Sequence, residues 1–173
     1  MLAAVLIEDL FDERELIYPF YRLKELGFTV DIVGPELKEY KGKNGFSLKA
    51  TKDAKSALRE DYVLVWIPGG YAPDRLRRNK DILELVRKTS EKGIVAAVCH
   101  APWVLISAGI VKGRRVTGFS SIVDDLRNAG AYVVNESFVR DGNIITGTDP
   151  DAMPGMMKLV LESLREKGIT IDL

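Results

Sequence analysis

The chain carries one cysteine and one histidine in 173 residues, and that scarcity already excludes much. A lone thiol cannot close an internal disulfide, which fits a reducing compartment. One Cys and one His cannot supply the ligands of a zinc site at any recognised spacing, so no metal is expected. Charge of one sign is not in surplus either: Lys plus Arg and Asp plus Glu both count 25. A nucleic-acid partner, which needs excess cations to displace counterions, is therefore not expected. No apolar run approaches the roughly 18 residues that span a bilayer. The opening Met1-Leu2-Ala3-Ala4-Val5-Leu6-Ile7-Glu8-Asp9 lacks a basic region and meets two acids early, so no signal peptide or membrane partner is expected and the cytoplasm is the expected location. What is present, 46% hydrophobic and 29% charged residues, fills one core, and residues 1–173 read as a single domain.

Short apolar runs at residues 3–7, 62–67 and 94–98 suit strands covered on both faces, and residues 28–33 suit a further strand. Helical spacing of apolar residues follows Asp12, resumes over residues 81–92 and again from Ala101-Pro102-Trp103 to Gly109, with another helix expected at residues 121–128. Pro19 falls inside the first helix, removing a donor and freeing the carbonyl of Glu15, so a late start or a kink near Glu15 is expected. Lys43-Asn44-Gly45 marks the turn of a hairpin expected on a sheet edge, and Asp141-Gly142 marks a second hairpin. A last helix over about residues 150–167 carries Met153, Met156, Met157, Val160, Leu161 and Leu164 on one face, a core pattern. Strands alternating with helices through short connections predict an α/β fold, a doubly wound and mostly parallel sheet.

In such sheets ligands collect at the carboxyl ends of the strands, and three ends here are unusual. The first leads to Asp12 and Glu15, the second is Pro68-Gly69-Gly70, and the third is Cys99-His100. If the three strands are neighbours, their ends form one pocket. Cys99 has the small neighbours Ala97 and Ala101 that a nucleophile elbow needs, and a helix N-terminus there would favour its thiolate. The alternative is a buried thiol serving as a small hydrophobe. His100 reads either as its base or as an ordinary helix-start residue, since neighbouring side chains at an elbow diverge. Glu15 reads either as the acid of a capping box with Asp12 or as a buried carboxyl against the thiol. The turn at Gly69 and Gly70 offers bare N–H groups, and Gly70 with the His100 amide are the natural oxyanion donors.

Taken together, Cys99-His100-Ala101-Pro102-Trp103, Glu15-Leu16-Ile17-Tyr18-Pro19, Pro68-Gly69-Gly70-Tyr71-Ala72-Pro73-Asp74 and Asp125-Leu126-Arg127-Asn128-Ala129-Gly130 resemble the PfpI branch of the ThiJ/PfpI superfamily. The resemblance implies a flavodoxin-like sandwich, a homodimer or a hexamer built as a trimer of dimers, and a cysteine-dependent hydrolase. The implied substrates are peptides, or small aldehydes and dicarbonyls and their protein adducts, handled as an intracellular peptidase or a cofactor-independent glyoxalase or deglycase. It also implies roles: Cys99 as nucleophile, Glu15 as the buried acid, Gly70 and His100 as oxyanion donors, and Asp74 as an acid pairing with the histidine of a second subunit. The sequence departs from that pattern at Asp74, where Glu is usual, at Phe119, where Tyr or Trp is common, and at Gly147-Thr148, which replaces a Ser-Arg pair. A glutamine amidotransferase would need a second histidine downstream, which is lacking. From a different class, a redox-sensing or chaperone stress protein with an oxidisable Cys99 is the alternative reading.

Overall fold

The computed structural model describes residues 1–171. Its main sheet uses seven strands: β1 (Leu2–Leu6), β2 (Thr29–Gly34), β5 (Lys52–Asp53), β6 (Leu64–Ile67), β7 (Ile94–Val98), β10 (Phe138–Asp141) and β11 (Ile144–Gly147). Two short pairs stand apart from it, β3 (Glu39–Lys41) with β4 (Ser47–Lys49), and β8 (Arg115–Val116) with β9 (Tyr132–Val133). The helices are α1 (Glu13–Glu25), α2 (Ala54–Ala57), α3 (Ala72–Leu76), α4 (Lys80–Lys92), α5 (Pro102–Ser107), α6 (Val123–Asn128) and α7 (Met153–Glu166). Strand order in the sheet is β10-β11-β7-β6-β1-β2-β5, all parallel except β10 against β11.

β6 and β7 are buried at every position because helices cover both faces of the sheet, which is why their sequences are unbroken apolar runs rather than alternating ones. α1 packs on β1 and β2, while α7 packs on β7, β10 and β11. The methionines of α7 are core residues, with Met153, Met156 and Met157 all buried. Among the described residues no helix is long and apolar enough to cross a membrane.

Pro19 does not delay α1, which runs from Glu13 to Glu25 with the proline inside it. The carbonyl that Pro19 leaves without its helical donor, that of Glu15, accepts the indole N–H of Trp66 at 3.0 Å instead. The hairpin of β3 and β4 is not an edge of the main sheet. It is held over the β1–α1 connection, where Glu13 accepts from the Asn44 and Phe46 backbones and the Lys43 ammonium lies 2.8 Å from Asp12.

Candidate active site

β7, β6 and β1 are adjacent, so their three carboxyl ends do converge. Cys99 directly follows β7 with φ of 62°, left-handed backbone that a side chain adopts only when its surroundings enforce it. The enforcement is visible: Cys99 N–H donates to Gly147 O, and Cys99 O accepts from Phe119 N–H, both at 2.9 Å. The strained turn carries the sulfur off the strand line to within 3.2 Å of His100 Nδ1. His100 Nε2 lies 3.2 Å from Ser121 Oγ, and its ring stacks on Phe119 and meets the edge of Trp103. Trp103 is held in turn by a hydrogen bond from its indole to Asp125.

Glu15 does not close a capping box. Asp12 caps α1, accepting from the Arg14 and Glu15 backbones, but its own N–H donates to Gly69 O rather than to Glu15. The Glu15 carboxyl turns inward, fully buried, and its Oε1 accepts Gly69 N–H at 2.8 Å while its Oε2 has no hydrogen-bond partner within the protein. A Cβ at Gly69 would sit 2.5 Å from Glu15 Oε1 and 2.9 Å from Cys99 Cβ, so only glycine fits between these two side chains at the turn.

This removes Gly69 as an oxyanion donor, because its N–H is already committed to Glu15. Gly70 is different. The bonds from Asp12 N–H to Gly69 O and from Tyr71 N–H to Leu10 O bracket the Phe11–Gly70 bridge, so the Gly70 N–H points away from it. The His100 amide N–H lies against the sulfur.

Electrostatics tie the acids and the thiol together. Burial, reinforced by the neighbouring Asp12 charge, pushes the Glu15 carboxyl up to about 7. Burial and then the Glu15 carboxylate push the Cys99 thiol up to about 12, against the opposing His100 amide. The expected thiolate at a helix N-terminus is therefore corrected: α5 starts only at Pro102, and the thiolate is opposed as long as Glu15 is charged. Burial would raise Asp12 as well, but Arg14 and Lys43 outweigh it and hold that carboxyl at about 2. Burial, with Lys43, lowers the basicity of His100.

Asp74 lies exposed on α3, and within one chain it forms no bond to His100, whose ring nitrogens face Cys99 and Ser121. Sequence reasoning missed Ser121 and Lys43. Ser121 had no signal beyond a hydroxyl in a short helix, and Lys43 stood in a turn motif whose place over the site only the tertiary contacts reveal.

A model of the DJ-1/PfpI family matches residues 1–163. The chain belongs to that family. It is 37% identical over 156 residues to the deglycase PfpI of Pyrococcus furiosus, covering 90% of this chain and 94% of that one. An uncharacterized protein of Archaeoglobus fulgidus is 42% identical over 155 residues, 89% of this chain and 92% of its own. Among solved structures, a two-domain protein of Anabaena variabilis with DJ-1/ThiJ/PfpI-like and ferritin-like domains superposes with TM-score 0.91 at 38% identity, covering 94% of this chain and 48% of that chain. The DJ-1beta of Drosophila melanogaster shares the DJ-1/PfpI fold, with TM-score 0.84 at 24% identity over 96% of this chain and 94% of its own.

Proposed function

We propose that this family member is a cysteine-dependent enzyme acting on dicarbonyls and their protein adducts, a glyoxalase or deglycase. The observation that carries the reading is the left-handed Cys99, whose sulfur meets His100 while the buried Glu15 reaches the same turn through Gly69. Relatives named deglycase at 34–37% identity support the substrate class.

In the aldehyde reaction the thiol proton passes to Glu15 as the sulfur bonds to the carbonyl carbon, and the carbonyl oxygen becomes an oxyanion facing the Gly70 and His100 N–H groups. With its carboxyl at about 7, Glu15 is available in either proton form at neutral pH, and protonating it removes the charge that opposes the thiolate, so the transfer is made as the sulfur bonds to carbon. Glu15 then returns that proton to the oxyanion, closing a neutral hemithioacetal. Its freed carboxylate takes the hydrogen of the former aldehyde carbon as a proton and delivers it to the adjacent carbon, while the hydroxyl proton passes to that carbon's oxygen, leaving a 2-hydroxy thioester on Cys99. Water cleaves the thioester to a hydroxy acid and restores the thiol.

Peptide hydrolysis needs an acid for the amine leaving group. In this reading Asp74 of a second copy supplies the partner to His100, so assembly as a homodimer or hexamer belongs to the proposal. Incubation with methylglyoxal should yield lactate over many turnovers, and Cys99→Ala should abolish it. Product limited to one equivalent per protein, with Cys99 oxidised, would replace the enzyme by the redox-sensor reading.

A further inference from the structure

A groove of about 500 Å³ has Phe119, Thr148, Asp149, Arg127, Val133 and Glu136 among its lining residues. Two parts of its wall touch the cysteine elbow: Phe119 N–H donates to Cys99 O and the Phe119 ring stacks on His100 at 4.8 Å, while Thr148 and Asp149 directly follow Gly147, whose carbonyl holds Cys99 N–H. A dicarbonyl as small as methylglyoxal needs only a fraction of this space, which lies within the size range of sites for much larger ligands.

The charge of the groove is lopsided: two carboxylates, Asp149 and Glu136, face one guanidinium. Asp149 is held in place by the Thr148 hydroxyl and the Ala152 N–H, so its charge is fixed in the wall. Glu136 is exposed and takes part in none of the ion pairs of the described residues. Thr148 is neutral, so the wall next to Asp149 adds no cation.

We propose that this groove is a subsite for the polypeptide that carries the reacting group, and that it selects segments bearing lysine or arginine beside that group. The inference rests on the cysteine-enzyme reading above and deepens it, by placing the flanking chain past Phe119 with its cation toward Glu136 and Asp149. Glu136 and Asp149 are specificity-determining residues in this view.

The test uses binding, so that it does not depend on turnover. A fluorescein-labelled tetrapeptide containing two lysines, and its counterpart with two glutamates, are titrated into Cys99→Ser protein at low ionic strength, where such charges are least screened. The lysine peptide should bind at least threefold tighter than the glutamate peptide. Glu136→Lys should abolish or reverse that preference, and Arg127→Glu should increase it. Equal affinity for the two peptides, no binding of either, or a preference unmoved by both variants would overturn the proposal. Failure of methylglyoxal turnover with the lysine preference intact would instead strike the enzyme reading alone.

Discussion

The indole N–H of Trp66 donates to the carbonyl of Glu15 at 3.0 Å, the carbonyl that Pro19 leaves without a helical donor. A proline that would ordinarily break the helix is thereby matched by a side chain from the neighbouring strand β6, and the match fixes the first turn of α1 where the Glu15 carboxyl enters the site.

Trp66→Phe should therefore cost about 2–4 kcal/mol, from the orphaned carbonyl and the lost volume together. In a Pro19→Ala background, where residue 19 again offers an N–H, the same change should cost at least about 1 kcal/mol less. Urea unfolding of the four proteins measures the difference. Equal costs in the two backgrounds would show that the indole does not stand in for the missing helical bond.

Glu15→Gln should separate the reactivity of the thiol from turnover. Removing the carboxylate removes a charge that opposes ionisation of Cys99, so iodoacetamide should alkylate the variant faster than wild type at pH 8. Turnover of methylglyoxal should nevertheless fall by roughly two to four powers of ten, because the amide cannot cycle a proton. If both rates fell together, Glu15 would be assisting the thiolate rather than opposing it when charged.

The same substitution carries a stability signature. The folded-state value of about 7 for Glu15 stands above the ordinary 4.5, so the folded protein binds the extra proton, and stability is lost as pH rises through that interval. Burial of the charge costs of order 3 kcal/mol above pH 7. The advantage of Glu15→Gln over wild type in thermal or urea unfolding should grow from pH 5 to pH 8 and then level off. A difference independent of pH would mean that Glu15 titrates normally.

Asp12 has the opposite sign. Its carboxyl is held at about 2 by Arg14 and Lys43, below the ordinary 3.8, so its contribution is present above that ordinary value and lost as pH falls toward 2. Asp12→Asn keeps the helix cap but surrenders both ion pairs, and should cost about 1–2 kcal/mol at pH 7. Unfolding curves of the two proteins should converge near pH 2, and a constant offset down to that pH would leave the ion pairs without a role.

Much of this architecture was legible in the chain itself. Unbroken apolar runs ending at Ile67 and Val98 announce strands covered on both faces, because only a sheet between two helical layers buries every side chain of a strand. Asp12 as a cap, the methionine face of α7 and the small residues around Cys99 follow from local geometry, which is set by neighbours a few positions apart. The direction of the Glu15 carboxyl was not local: capping box and buried acid share one spacing, and the choice depends on Gly69, 54 residues away, offering its N–H. So too with Lys43 over Asp12, and Ser121 against His100. The acidity of Cys99 lay furthest from the sequence, since a pKa is set by burial and by the charges that the folded chain gathers around the sulfur, and only the tertiary structure brings Glu15 there.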